Sequence, residues 1–284
     1  MYEEEAPYVS KTISNRWWIH AVLLVLLGLT LYPMVFMVLN AFRTGLATDI
    51  TPFGLPLHPI WQNFSIALGE ILPAFKQSFI IVGVSVAGIL TCALLSAFAF
   101  AELEFPGKTV LFYLVFGLLL IPGFLALIPL FLEIRNLGLM NSVWGLILPY
   151  VAGGQAFGIF IFRTFIKSLP DELFAAARVD GAHNGVIFWR IVVPLSWPIV
   201  MTVAVLNIVG LWGDYILPSL VLAAGHQTVA VAITSLTPPP FASSANSFNE
   251  QLAAFTLSSV PIAVLFMFLM RFFVRGVTNG ALKM

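Results

Sequence analysis

The sequence contains little charge. Of 284 residues, 13 are lysine or arginine and 13 are aspartate or glutamate, together 9% of the chain. A soluble domain carries about 25% charged residues, so a soluble globular protein is excluded. A hydrophobic content of 60% also excludes a disordered chain. The composition therefore indicates an integral membrane protein.

Two further absences narrow the possible functions. The net charge is zero, so there is no basic excess to neutralise phosphates, which argues against nucleic acid as a partner. The one cysteine, Cys92, excludes an internal disulfide and any metal site built from several cysteines. Cys92 lies in an apolar run, which favours the role of a small buried hydrophobic side chain.

The sequence is rich in long apolar runs. About 20 helical residues cross a hydrocarbon core of about 30 Å. Six runs reach that length, at 19–39, 79–101, 110–132, 143–162, 191–224 and 252–270. The fifth is interrupted by Pro194, Pro198, Asp214 and Pro218, and Pro122-Gly123 predicts a kink in the third. The first run is longer than the core of a signal peptide and no cleavage site follows it, so we expect a retained helix. The predicted fold class is an all-α integral membrane protein with six transmembrane helices.

Lysine and arginine in the loops predict the orientation. With a cytosolic amino terminus, ten of these residues lie inside, namely Lys11, Arg16, Lys108, Arg163, Lys167, Arg178, Arg190, Arg271, Arg275 and Lys283. Three lie outside, Arg43, Lys76 and Arg135. We therefore expect both termini in the cytosol. The predicted segments are a cytosolic tail at 1–18, the first transmembrane helix at 19–42, external loops at 43–78 and 225–251, a core at 79–275 and a cytosolic tail at 276–284.

The sequence of the predicted cytosolic loop 166–196 indicates a short helix, with residues typical of a helix start and of a helix end. Ser168 suits the cap, Pro170 the first turn, and Asp171 and Glu172 the positive end of the helix dipole. Gly181 suits the left-handed stop position. A second short helix is predicted at about 185–192, ending at Pro194. From the residues alone, an ordinary connector lying on lipid headgroups remains the alternative.

The spacing in this loop resembles a known family motif. Ala175-Ala176-Ala177, three residues, Gly181, nine residues and Ile191-Val192-Val193-Pro194 follow the pattern of the EAA loop of binding-protein-dependent ABC importer permeases. The first Glu of that motif is Ala175 here, so its carboxylate contact with the ATPase is absent or comes from Glu172. Further similarity lies in Phe105-Pro-Gly-Lys108, Trp212-Gly-Asp214 and the tail from Arg271 to Lys283. The chain resembles the carbohydrate, maltose-type class from about Arg16 to its end.

The resemblance implies a transport subunit of the prokaryotic inner membrane. Its expected partners are a second homologous permease chain, two ATPase subunits, an extracytoplasmic solute-binding protein and the lipid bilayer. ATP and Mg²⁺ would bind in the ATPase subunits. The chain itself has no phosphate-binding loop, because Gly107-Lys108-Thr109 lacks the preceding glycine at Glu102. The loop is expected to couple transport to ATP hydrolysis through Glu172, Ala175, Ala176, Ala177, Asp180, Gly181 and Pro194.

Polar residues within the apolar runs are candidates for the solute pathway, because such groups usually face a cavity or another helix. Gln155 and Asn207 are predicted near the middle of the membrane, and Asp214 and Tyr215 near its outer face. Asn207, Gly210, Asp214 and Pro218 have the spacing of one helical stripe. A hydrogen bond between helices is the alternative for Gln155 and Asn207, and simple solvation is the alternative for Asp214.

Two other functional classes are alternatives to the importer subunit. An ion-coupled secondary carrier should show buried ionisable groups near the midplane or repeated halves, whereas Glu102 and Glu133 lie at the ends of runs. An enzyme embedded in the membrane should show clustered catalytic residues, and the sequence has no such cluster. The chain is thus predicted to be a non-enzymatic permease.

Overall fold

The protein is described by a computed structural model over residues 17–236 and 247–281. The predicted tail before Trp17, the central part of the second external loop at 237–246 and the last residues 282–284 lie outside the described residues. The described chain is helical without strands, and its helices are α1 (Trp17–Ala41), α2 (Gly45–Ile50), α3 (Gln62–Glu102), α4 (Lys108–Gly117), α5 (Leu127–Asn136), α6 (Trp144–Ile166), α7 (Asp171–Val179), α8 (Asn184–Ile187), α9 (Val193–Trp212), α10 (Ile216–Val221), α11 (Val229–Ser235) and α12 (Ser247–Ala281).

Five helical segments are individually long and apolar enough to cross a membrane. The third predicted span instead forms two arms, Lys108–Leu120 and Gly123–Asn136, which are bent by 94°. Pro122 has no N–H to continue the helix and pushes the preceding Ile121 into an extended conformation, with φ −87° and ψ 116°. The expected kink is therefore a right-angle break. The all-helical membrane fold is confirmed, with six spans when the bent pair counts as one.

Helix α3 is the central element of the fold and contacts α6, α9, α11 and α12. Its 41 residues extend about 60 Å, roughly twice the thickness of the hydrocarbon core. It starts at Gln62, well before the predicted span at 79–101, so the second half of the expected external loop 43–78 is helical. The search for apolar runs missed this part of the helix, because its polar residues are compatible with a helix but lower the hydrophobicity of the segment. Cys92, expected to be buried, is exposed on this helix.

Small residues allow α3 and α6 to pack closely. An added Cβ at Gly158 would lie 2.7 Å from the Ala93 Cβ, and one at Gly154 would lie 2.6 Å from the Ile89 Cδ1. Such small residues at helix interfaces are common in membranes, where close packing replaces the hydrophobic effect. The spacing of these two glycines therefore serves helix packing.

Substituting Gly158 with alanine should destabilise the protein by about 2 kcal/mol, because two Cβ atoms cannot approach to this distance without separating the helices. Gly153→Ala is the matched control on the same helix, since an added Cβ there meets nothing within 4 Å. Thermal unfolding in detergent should show a lower midpoint for the Gly158 variant alone. Equal midpoints for the two variants would refute close packing at Gly158, and Ala93→Gly should restore the Gly158 variant.

A buried polar cluster joins the ends of four helices on the side of the predicted loop 43–78. The guanidinium of Arg43 donates to Asn40 Oδ1 at 2.8 Å, Thr51 Oγ1 at 2.7 Å, and the backbone carbonyls of Ala47 and Pro52 at 2.6 and 3.4 Å. In addition, Asn249 of α12 donates to the Asn40 carbonyl and to Thr48 Oγ1. Arg43 is 5% exposed, and none of the described acidic side chains pairs with it.

The same cluster fixes the start of α3. Asn63 Nδ2 donates to the carbonyls of Ala41 and Arg43, both at 2.9 Å. About 22 Å further along α3, the backbone N–H of Val229, at the start of α11, donates to Ser78 Oγ at 2.9 Å. Four of the seven residues of α11 are buried, namely Val229, Val231, Ala232 and Ile233. Part of the predicted external loop 225–251 is therefore a buried helix, because its Val-Ala-Val-Ala-Ile stretch is apolar.

Candidate functional site

Helix α7 lies in the predicted cytosolic loop and exposes one of its sides. The inward side is anchored by Phe174, which is 2% exposed and belongs to a buried cluster with Phe98 of α3. On the opposite side, Val179 is 87% exposed. The described chain thus leaves a mostly apolar face of α7 open.

The residues predicted to couple transport to ATP hydrolysis divide between the two sides of α7. Exposed to the outside of the chain are Glu172, Ala175, Ala176, Asp180 and Gly181. Ala177 is half-buried against the inner cluster. Pro194 is exposed but belongs to the first turn of α9, beyond α7.

Gly181 ends α7 in the predicted way. Its φ is +78°, in the left-handed region that favours glycine. The Ala182 N–H donates to the Ala177 carbonyl at 2.9 Å, and the Gly181 N–H donates to the Arg178 carbonyl at 3.1 Å. This pair of bonds is the Schellman motif, which satisfies the last carbonyls of a helix. An added Cβ at Gly181 meets nothing within 4 Å, so the backbone conformation alone requires glycine here.

The beginning of α7 and the second short helix differ from the prediction. Pro170 itself occupies the cap position, while the hydroxyl of Ser168 donates to the Phe165 carbonyl at the end of α6. The second helix does not end at Pro194. A π turn at Phe188–Val192 widens the hydrogen-bond ladder before the proline, and the helix then continues to Trp212. The π turn interrupts the regular hydrogen-bond ladder just before Pro194, which has no N–H to contribute to that ladder.

The predicted pathway residues form no hydrogen bonds with one another in the described part of the chain. Gln155 Nε2 and Asn207 Nδ2 donate to carbonyls one turn earlier on their own helices, at 2.7 and 2.9 Å. Gln155 Oε1 is buried and has no hydrogen-bond partner among the described residues. The amide donors of both residues therefore bond within their own helices, and do not form the hydrogen bond between helices that was the alternative.

Asp214 lies outside the helical stripe expected for Asn207, Gly210 and Pro218. Helix α9 ends at Trp212, and Asp214 Oδ1 accepts from the Ile216 N–H at 3.1 Å, which starts α10. An aspartate favours such a helix start over a helix interior. Its other oxygen accepts a 2.6 Å hydrogen bond from the hydroxyl of Tyr150 on α6. The neighbouring Tyr215 is exposed.

Sequence reasoning missed Tyr150, Glu102 and Arg178 as functional candidates. A tyrosine in an apolar span needs a partner for its hydroxyl, which could have singled out Tyr150. Arg178 Nη2 forms an ion pair with Glu102 Oε2 at 3.1 Å. The two residues are 76 positions apart, so no spacing rule could have paired them.

Comparison with known proteins identifies related chains. Residues 89–279 match the family described as the binding-protein-dependent transport system inner membrane component. The diacetylchitobiose uptake system permease protein NgcG of Streptomyces coelicolor is 33% identical over 201 residues, 70% of this chain and 67% of its own length. The galactooligosaccharides transport system permease protein GanQ of Bacillus subtilis is 31% identical over 258 residues, 89% of this chain and 90% of its own.

A third relative and a solved structure extend the comparison. The sn-glycerol-3-phosphate transport system permease protein UgpE of Yersinia pestis is 33% identical over 242 residues, covering 85% of this chain and 78% of its own. The fold is similar to a chain in the crystal structure of a bacterial ABC transporter involved in the import of the acidic polysaccharide alginate. That likeness has a TM-score of 0.79 at 21% identity and covers 94% of this chain and 100% of the other.

Proposed function

Because the chain belongs to the family of binding-protein-dependent transport system inner membrane components, and so is a permease subunit of an ABC importer, we propose that it translocates a neutral sugar or oligosaccharide. ATP is hydrolysed in separate subunits, since the family lacks its own nucleotide site. The relatives' names include uptake of diacetylchitobiose, galactooligosaccharides and sn-glycerol-3-phosphate. Among these chemistries, the pathway candidates of this chain favour an uncharged solute.

The charge of the pathway candidates supports this choice. Gln155 and Asn207 offer neutral amides, which exchange hydrogen bonds with hydroxyl groups. Asp214 adds a carboxylate, which repels a phosphate but accepts hydrogen bonds from a sugar. We assign Gln155, Asn207, Asp214 and Tyr215 to the pathway on these grounds.

The partners follow from the same proposal. A second permease chain completes the membrane unit, and two ATPase subunits dock on the cytosolic side. An extracytoplasmic binding protein delivers the solute to the outer face. Both termini lie in the cytosol, as the distribution of lysine and arginine predicts.

Docking of the ATPase occurs on the exposed side of α7. The observation that carries this assignment is the open face of Ala175, Ala176 and Val179, ended by the left-handed Gly181. Small side chains permit close approach of another backbone, and an exposed apolar face on a short capped helix is typical of a protein contact. Rigid movement of α7 by the ATPase pair then switches the spans between inward- and outward-facing states.

Purification of the chain from its native membrane in mild detergent tests the proposal. We expect an ATPase, a second permease and a binding protein to be recovered with it. The recovered binding protein should bind neutral oligosaccharides in a calorimetric screen and not glycerol phosphate. Recovery of the chain alone, with uptake that needs no ATP, would instead identify a secondary carrier.

A further inference from the structure

The cytosolic end of α3 is contacted by α6 and by two parts of the loop 166–196. The ring of Phe188 lies 5.4 Å from the ring of Phe98. Arg163 Nε donates to the Phe100 carbonyl at 3.2 Å. One turn beyond Phe98, Glu102 forms the ion pair with Arg178. The last turn of the longest helix is therefore held by side chains of α6, α7 and the π turn.

Helices α3 and α7 face each other with matching pairs of residues. Phe98 and Glu102 are four residues apart on α3, and Phe174 and Arg178 are four residues apart on α7, so each pair lies on one helix face. The two phenylalanines belong to one buried cluster, and the two charged residues form the ion pair. On each helix, one member of the apolar cluster and one member of the ion pair therefore lie on the same face.

A cavity of about 680 Å³ lies beside the ion pair, lined by Ala101 to Glu104 on the α3 side and by Lys167, Asp171, Arg178 and Asn184 on the other. Next to the buried apolar cluster, the ion pair is the charged contact that joins the two sides. The Glu102 side chain is 8% exposed and that of Arg178 is 49% exposed. Because the Glu102 carboxylate is largely buried, Arg178 compensates its charge, while Arg178 itself keeps contact with solvent.

The opposite end of α3 lies at the outer polar cluster. Asn63 bonds the carbonyls after α1, and Ser78 accepts from the start of α11. A displacement applied at Glu102 therefore reaches both contacts through one continuous helix of about 60 Å.

We propose that the Glu102–Arg178 ion pair passes the displacement of α7 to α3, and that both side chains are positioning residues for ATP-coupled transport. This inference rests on the proposed docking of the ATPase on α7. Arg178 points toward α3, on the side of α7 away from that docking face. Loss of the ion pair should leave the ATPase bound but weaken the link between hydrolysis and movement of the spans.

The test uses the assembled transporter in proteoliposomes, with its binding protein, solute and ATP. Glu102→Gln and Arg178→Gln should each retain the ATPase subunits, hydrolyse ATP, and transport about tenfold less solute per ATP, as expected when the coupling between two sites is lost. The exchange variant with Glu102→Arg and Arg178→Glu should recover most of that ratio, because it restores the attraction with opposite polarity.

Glu104→Gln is the matched control, because the exposed Glu104 is two residues away and, among the described residues, pairs with Lys108 at 3.0 Å instead of Arg178. It should leave solute transported per ATP unchanged. An unchanged ratio in Glu102→Gln and Arg178→Gln would overturn the proposal, and so would failure of the exchange variant to recover. Release of the ATPase by Arg178→Gln would place Arg178 in the docking surface and overturn it as well. If the unaltered chain retains no ATPase, the proposed function itself fails.

Discussion

Replacing Gly181 with valine is expected to reduce ATP-driven uptake about tenfold or more. A β-branched residue at a φ of +78° is strained by about 1–3 kcal/mol, and the chain can relieve that strain only by leaving the left-handed conformation. Both bonds of the Schellman motif would then be lost, and the end of α7 would change direction. The docking face would no longer fit the ATPase. Uptake in proteoliposomes and the amount of ATPase that co-purifies with the chain measure this effect.

Gly138→Val is the control for strain alone. Gly138 has a φ of +69° and, like Gly181, nothing within 4 Å of an added Cβ, but it follows α5, at the predicted outer face. It should lower stability to a similar extent while the ATPase remains bound. Gly181→Asn should be milder than Gly181→Val, because asparagine tolerates the left-handed region. Normal uptake and ATPase retention by the Gly181→Val variant would show that α7 does not dock the ATPase.

Removal of the Arg43 side chain is expected to have the largest effect on stability. Arg43→Ala deletes a buried cation that satisfies four acceptors, so the expected loss is about 3 kcal/mol or more. Arg43→Lys should be nearly as damaging, because an ammonium cannot reproduce the planar fork that reaches two sides of the cluster. Thermal unfolding in detergent should show midpoints lower by about 5 °C or more.

Arg135→Ala provides the comparison, since Arg135 is an exposed arginine in the last turn of α5. It removes the same charge at the same predicted face and should leave the midpoint within about 1 °C. Equal effects of the two substitutions would mean that the cluster around Arg43 does not hold the outer ends of the helices together.

The sequence was informative wherever one local property decided the structure. Apolar runs of about 20 residues predicted the membrane helices, and Gly181 predicted the end of α7 because few other residues adopt a positive φ. The kink at Pro122 was predicted because proline lacks an N–H, but its size was not. The angle depends on how the two arms pack, and local sequence rules do not describe packing.

Contacts between distant residues could not be predicted. The ion pair of Glu102 and Arg178 and the hydrogen bond of Tyr150 and Asp214 each join segments more than 60 positions apart. The stripe that included Asp214 was wrong because it assumed a continuous helix past Gly213, whereas the aspartate starts a new one. The assignments of Gln155, Asn207, Asp214 and Tyr215 to the pathway stay predictions.

The right-angle break at Pro122 also determines how many times the chain crosses the membrane. Its arms have 13 and 14 residues and are about 20 Å and 21 Å long, so neither alone crosses a core of about 30 Å. Set at 94°, their far ends lie about 30 Å apart, so the bent pair can cross diagonally. Counted as one crossing, it makes the total even and puts Lys108 and Arg135 on opposite faces, as the charge distribution predicts. Whether this turn counts as one crossing sets the side of every loop after residue 136, including the segment proposed to dock the ATPase.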